Sequence, residues 1–186
     1  MLDEATLIDE THPMSFKKRM NDEFYSRIDK DLIMPLSQRL FPEPEKTEEY
    51  DRMIEDLGGG DLCLGGRGIN GHIAFNEAEE ENSTVTAEEF GNFGTRVLPI
   101  TRETRTINAY GYQRGDLRGM PEWCITIGMK QILEAKSIYI ALNRPWQHGI
   151  FKHVLNDEIS PQIPATLLKK NGNVTFCITE EIAEGL

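Results

Sequence analysis

Basic residues are scarce: 20 lysines and arginines face 31 aspartates and glutamates, a formal net charge of −11 over 186 residues. Such a surface argues against neutralising a nucleic-acid backbone, which needs clustered cations. It also disfavours an anionic ligand unless basic groups gather at its pocket. Long apolar runs are lacking as well. No stretch approaches the roughly 20 residues that cross a bilayer, and the opening MLDEATLIDE has no basic-then-apolar leader pattern. The chain is therefore read as cytoplasmic, with neither nucleic acid nor membrane as a partner. Cysteine is limited to Cys63, Cys124 and Cys177, odd in number and far apart among apolar neighbours. They read as buried free thiols, not as a disulfide framework or a metal site.

What is present is enough for one folded domain over residues 1–186. Hydrophobic residues make up 39% and aromatics 8%, in compact runs that argue against general disorder. Phe16, Met20, Phe24 and Ile28 recur every four residues, which predicts a surface helix over 15–30. Tyr50, Met53, Ile54 and Leu57 predict another over 46–57, stopped by Gly58, Gly59 and Gly60. Residues 61–64 read as a short buried strand, and 77–89 as an acidic polar excursion. By local pattern 122–135 reads as a helix. The β-branched and aromatic run 137–142 reads as a strand, followed by a helix at 148–156 and a strand at 174–178. Strands separated by helix-sized segments point to parallel βαβ units in an α/β fold: a layered, Rossmann-like parallel sheet flanked by helices.

The chemistry concentrates in GGRGINGHIAFNE, residues 65–77, directly after the first of those strands. It is neither a dinucleotide loop running into a helix nor a nucleotide phosphate loop ending in GK[ST]. His72 lies five residues before Glu77. The two can meet around a turn, where the carboxylate would orient the imidazole and stabilise its protonated form. Taken alone, the same residues also fit a hydrogen-bonded structural histidine and a water-facing glutamate.

GGRGINGHIAFNE resembles the GxGxxGHIAFNEP signature of glucosamine-6-phosphate deaminases, and three further segments follow that family in order. LDEATLIDETHPMSF is similar to its MDEYxGLxxxHPxSY segment, TRETRTINA to its T-x-x-TR-x-x-N stretch, and WCITIGMKQILEAKSIYIAL to its strand-helix-strand unit. The resemblance implies aldose-ketose isomerisation with loss of ammonia from an amino-sugar phosphate, without metal or organic cofactor. It implies that His72 protonates the ring oxygen with Glu77 as its orienting partner, that Asn70 belongs to the histidine's support network, and that Asp3 moves the C2 proton. Gly65, Gly66, Gly68 and Gly71 would shape the substrate loop.

Departures from the pattern matter equally. Family members carry, before the DE motif, a strand and a loop whose backbone amides hold phosphate. Here Met1 and Leu2 precede Asp3, so the sheet is expected to be incomplete at its N-terminal side, and Asp3 and Glu4 could equally be a solvated acidic end. Tyr110 and Trp146 stand where the resemblance places a phosphate-binding arginine and lysine. Arg105, Arg144 and Lys152 are the candidate substitutes. Arg96 matches an arginine of a regulatory phosphate site in some relatives, but Leu98 replaces its lysine partner. Arg96 is therefore expected in a structural ion pair. The uncovered sheet should favour homo-oligomers. Two alternatives stand beside the enzyme: a catalytically impaired scaffold or interaction subunit of the same fold, and a sugar-phosphate lactonase.

Overall fold

The structure, a computed structural model, describes residues 1–186 except positions 7 and 10; these two, inside the first family-like segment, lie outside the described residues. The chain opens with strand β1 (Asp3–Ala5), and Ser15 caps the first turn of α1 (Phe16–Arg19) by accepting from the Lys18 amide. The helix predicted over 15–30 is irregular. It passes into one π-type turn at Met20–Phe24 and one 3₁₀ turn at Tyr25–Arg27. Phe16 stacks on Phe75 at 5.7 Å, whereas Phe24 is exposed. Only part of the apolar stripe finds a surface to cover.

Helix α2 (Thr47–Asp56) ends at Gly58 and Gly59, both at positive φ, and strand β2 (Leu62–Gly65) follows. The acidic excursion has no helix or strand until Thr86 and Glu89 form a reciprocal cap for α3 (Ala87–Gly91). Strand β3 (Arg96–Pro99) and helix α4 (Arg102–Tyr112) come next. Residues 122–135 are not one helix. Trp123–Thr126 forms strand β4, and only Met129–Leu133 is helical, as α5. The β-branched and aromatic content of WCIT suits a pleated ladder with neighbours on both sides. Gly128 separates the two because a Cβ there would overlap the Phe93 carbonyl oxygen. Strand β5 (Ser137–Leu142), helix α6 (Gln147–Asn156), strand β6 (Val174–Ile178) and helix α7 (Glu180–Ala183) complete the chain.

Among the described residues two three-stranded sheets result. The parallel one has the order β2-β5-β6, as the βαβ reading required; an antiparallel one, β1-β4-β3, was not foreseen. One face of the parallel sheet (Cys63, Ile138, Ile140) packs with Ile132, Phe151, Val154 and Leu167 in the main core. The other face shows Leu62, Leu64, Tyr139, Ala141, Thr175 and Cys177 to solvent. Parallel sheets are ordinarily covered on both faces. Cys177 is thus exposed, correcting the expectation of three buried thiols: it shares the bare face because it pairs with Ala141. Among the described residues, no helix is long and apolar enough to cross a membrane.

Candidate active site

Strand β2 delivers the glycine-rich loop at its carboxyl end, where open α/β sheets place ligands. Gly71 sits at φ +85°, and a Cβ there would press on Ile163 and Ile150, so the turn needs glycine. Past the turn the loop is pinned from below. Asn76 donates to the carbonyls of Ile73 (3.0 Å) and Ile127 (2.9 Å), and the Phe75 amide donates to Thr126 Oγ1 (3.0 Å). Arg96 donates to Asn76 Oδ1 at 2.7 Å and lies over the Phe93 ring. The ion pair expected for Arg96 is not formed with any described carboxylate: its partners are the Asn76 amide, the Gly94 carbonyl and an aromatic face.

The loop and the first turn of α4 build one buried network. Glu77 Oε2 accepts from Asn70 Nδ2 (2.7 Å), Thr104 Oγ1 (3.0 Å) and Thr101 Oγ1 (3.1 Å), and lies 3.3 Å from His72 Nδ1. Burial pushes the Glu77 carboxyl up, but its contacts with His72, Asn70 and Thr104 outweigh that and hold it below the usual range. Asn70 Oδ1 lies 2.8 Å from His72 Nδ1 and can only accept, so Nδ1 carries a proton and Nε2 is left for other work. Thr101 is also the N-cap of α4 and bonds to Thr104. These two hydroxyls are the site groups that sequence reasoning missed. They were legible only as the two threonines of the quoted TRETR stretch.

Asp3 is no solvated end. The Met1 ammonium donates to Leu40 O (3.1 Å) and Tyr50 Oη (3.2 Å), the Ile127 amide donates to Leu2 O (2.6 Å), and β1 pairs Asp3 with Thr126. Glu4 is consumed as a cap, accepting from Ser15 Oγ and the amides of Phe16 and Lys17. Asp3 has no side-chain hydrogen bond to a described group, and burial raises its carboxyl from 3.8 to about 7, against the charge of nearby His72. The Asp3 carboxyl is thus within electrostatic reach of a histidine that is already oriented.

The remaining predicted residues divide. Gly65 packs under Ile140 and Leu2, and Gly66 under the Ala141 carbonyl. Gly68 lies against the imidazole, because a Cβ there would overlap the His72 ring. Gly68→Ala is therefore expected to displace the imidazole and lower kcat about 100-fold with little change in melting temperature; steady-state rates and a thermal melt check both. Arg105 is turned to Glu122 (3.2 Å) and the Leu117 carbonyl, away from the network. The Arg144 side chain is exposed. An open cavity of about 550 Å³ runs from Ile69 and Asn70 along α4 past Arg102, Glu103 and Ile107 to Tyr110, which is 80% exposed.

No family model matches the chain. The glucosamine-6-phosphate deaminase of Shouchella clausii is 32% identical over 188 residues, covering 98% of this chain and 70% of that protein. Those of Bacillus pumilus (31%; 97% and 71%) and Mycolicibacterium smegmatis (31%; 100% and 68%) are similar to the same extent. A solved monomeric glucosamine-6-phosphate deaminase superposes with a TM-score of 0.79 at 26% identity, over 98% of this chain and 72% of its own. The 6-phosphogluconolactonase of Trypanosoma brucei shares the fold at 19% identity, with a TM-score of 0.66 over 100% of this chain and 73% of that one. An identity near 30% sustained along almost the whole chain, together with the α/β arrangement, makes this protein a member of the glucosamine-6-phosphate deaminase family.

Proposed function

We propose that the chain converts an amino-sugar phosphate to a ketose phosphate and ammonia, acting as one α/β domain. His72 donates a proton to the ring oxygen while the anomeric hydroxyl loses one, which opens the ring to the aldehyde. Asp3 removes the C2 proton and returns a proton to C1, so that C1 is reduced and C2 oxidised within the same molecule. Water then adds at the C2–nitrogen double bond, and the carbon–nitrogen bond breaks to release ammonia and leave the ketone. Glu77, held by Asn70, Thr101 and Thr104, offsets the positive charge that the His72 imidazolium carries before its Nε2 gives the proton to the ring oxygen. The observation that carries this reading is the buried network joining His72 Nδ1 to Asn70 and Glu77, with Asp3 fixed by strand pairing to Thr126.

The test is release of ammonia and fructose 6-phosphate from millimolar glucosamine 6-phosphate by the purified chain, with His72→Ala as control. Turnover that disappears in the variant supports the assignment. A folded chain without turnover sinks it and favours the scaffold reading. The lactonase reading has only the shared fold behind it. Homo-oligomerisation, through the bare face carrying Leu62, Leu64 and Tyr139, is a further proposal. It stands against the solved relative described as monomeric, and a monomer in sedimentation velocity would end it.

A further inference from the structure

One buried cation has no part in the network above. Arg67 lies between Gly66 and Gly68 in the loop after β2 and is only 4% exposed, yet its Nε and Nη1 have no hydrogen-bond partner and no described carboxylate pairs with it. Its Nη2 donates to the Gln147 carbonyl at 2.7 Å, and the guanidinium lies 5.2 Å from the centre of the Phe151 ring. Burying an uncompensated charge is costly. In a chain with a surplus of acidic side chains, a buried arginine paired with no described carboxylate calls for an explanation.

The surroundings point to one. Gln147 clamps two loops together: its Nε2 donates to the Arg67 carbonyl (2.7 Å), and its Oε1 accepts from the amides of Asn143 and Arg144 (2.9 Å each). These are the loops at the carboxyl ends of β2 and β5, neighbouring parallel strands, and the crevice beyond such ends is where α/β sheets hold ligands. The clamp also sets Arg67 against the N-terminus of α6, a ten-residue helix with no acidic residue in its first turn, whose dipole favours an anion. Other basic groups nearby are committed or exposed. Arg105 pairs with the exposed Glu122 through Nη2, although its Nε is also without a partner, and the Arg144 side chain lies in solvent.

We propose that Arg67 is the anion-binding group of this site and that its unpartnered guanidinium N–H groups bind the phosphate of the sugar. The inference rests on the sugar-phosphate reading above and adds to it the group that holds the anion. His72 lies against Gly68, the residue next to Arg67, and in a hexose 6-phosphate the phosphorus is only a few bonds from the ring oxygen that His72 would protonate. Both free N–H groups are buried.

The test uses the whole chain, with Arg67→Met to remove the charge while keeping bulk against Phe151, and Arg67→Lys to keep charge without the guanidinium N–H donors. Inorganic phosphate, compared with chloride at equal ionic strength, is expected to raise the melting temperature of the wild type by about 2–5 °C, that of Arg67→Lys less, and that of Arg67→Met not at all. The ratio of kcat/KM for glucosamine 6-phosphate to that for glucosamine is expected to fall about 10- to 100-fold in Arg67→Met, mainly through KM. Equal phosphate protection of wild type and Arg67→Met, or an unchanged substrate ratio, overturns the proposal. If Arg67→Met does not fold, equal protection of wild type and Arg67→Lys, or none in the wild type, overturns it. Phosphate protection through Arg67 without turnover of either sugar leaves the anion site standing and removes the deaminase reading; turnover with an unaltered ratio does the reverse.

Discussion

Asp3→Asn lowers kcat by about 10²- to 10⁴-fold and raises stability at pH 8. Both effects come from the same burial, which lifts the Asp3 carboxyl from 3.8 to about 7. The folded state therefore holds this proton more tightly than the unfolded chain does. Below pH 3.8 both states are protonated and the group costs nothing. Between that value and pH 7 the unfolded chain gives up its proton first and stability declines, and above pH 7 the whole cost remains, on the order of 2–4 kcal/mol. Asparagine resembles the protonated acid and escapes that cost. Melts at pH 4 and pH 8 should show the variant matching the wild type at the lower value and exceeding it at the higher. The wild-type kcat/KM should climb with pH toward a plateau above about 7, as the base becomes ionised. A flat profile from pH 6 to 8, or an active Asp3→Asn, removes Asp3 as the base.

Glu77→Gln combines a loss of rate with a loss of stability. Glu77 Oε2 gathers three donors, from Asn70, Thr101 and Thr104, while Oε1 is buried with no partner. A glutamine has one carbonyl for the three donors, and its amide must then point where no acceptor waits, which leaves a buried donor unsatisfied at about 1–3 kcal/mol. The negative charge facing His72 disappears as well, and kcat is expected to fall about 10²- to 10³-fold. The pH dependence is opposite to that of Asp3. Because the Glu77 carboxyl is depressed, its contribution to stability is present above its ordinary value of 4.5 and is lost as pH falls through the folded-state value. The stability difference between variant and wild type should thus be full at pH 7 and shrink in acid, as chemical denaturation at the two pH values will measure. A constant difference, or an unaltered rate, counts against the network.

The readable parts of the fold were those in which a run of residues carries its own signal. Glycines after Leu57 stop α2, and the SIYIAL and VTFCI runs are strands because their side chains suit a pleated, half-buried surface. The misread parts lacked such a signal. WCIT took on helical character from the segment after it, although it lies between two strands. RVLP, which pairs with it as β3, sits in a polar stretch without a visible period. Strand pairing there is decided by partners far along the chain.

The amino-acid sequence by itself determined the family, through the GGRGINGHIAFNE run and three further segments in order, and it named Asp3, Asn70, His72 and Glu77. Motifs of contiguous residues survive being read as a string. Only the tertiary structure decided that Asp3 is held by strand pairing instead of fraying, and that Thr104, 32 positions after His72, completes the network. It alone showed Arg105 spent on Glu122, and Arg67 buried beside Gln147, 80 positions away. Hydrogen bonds and burial join residues whose separation along the chain carries no record of the contact, so the protonation and pairing of these groups follow from packing.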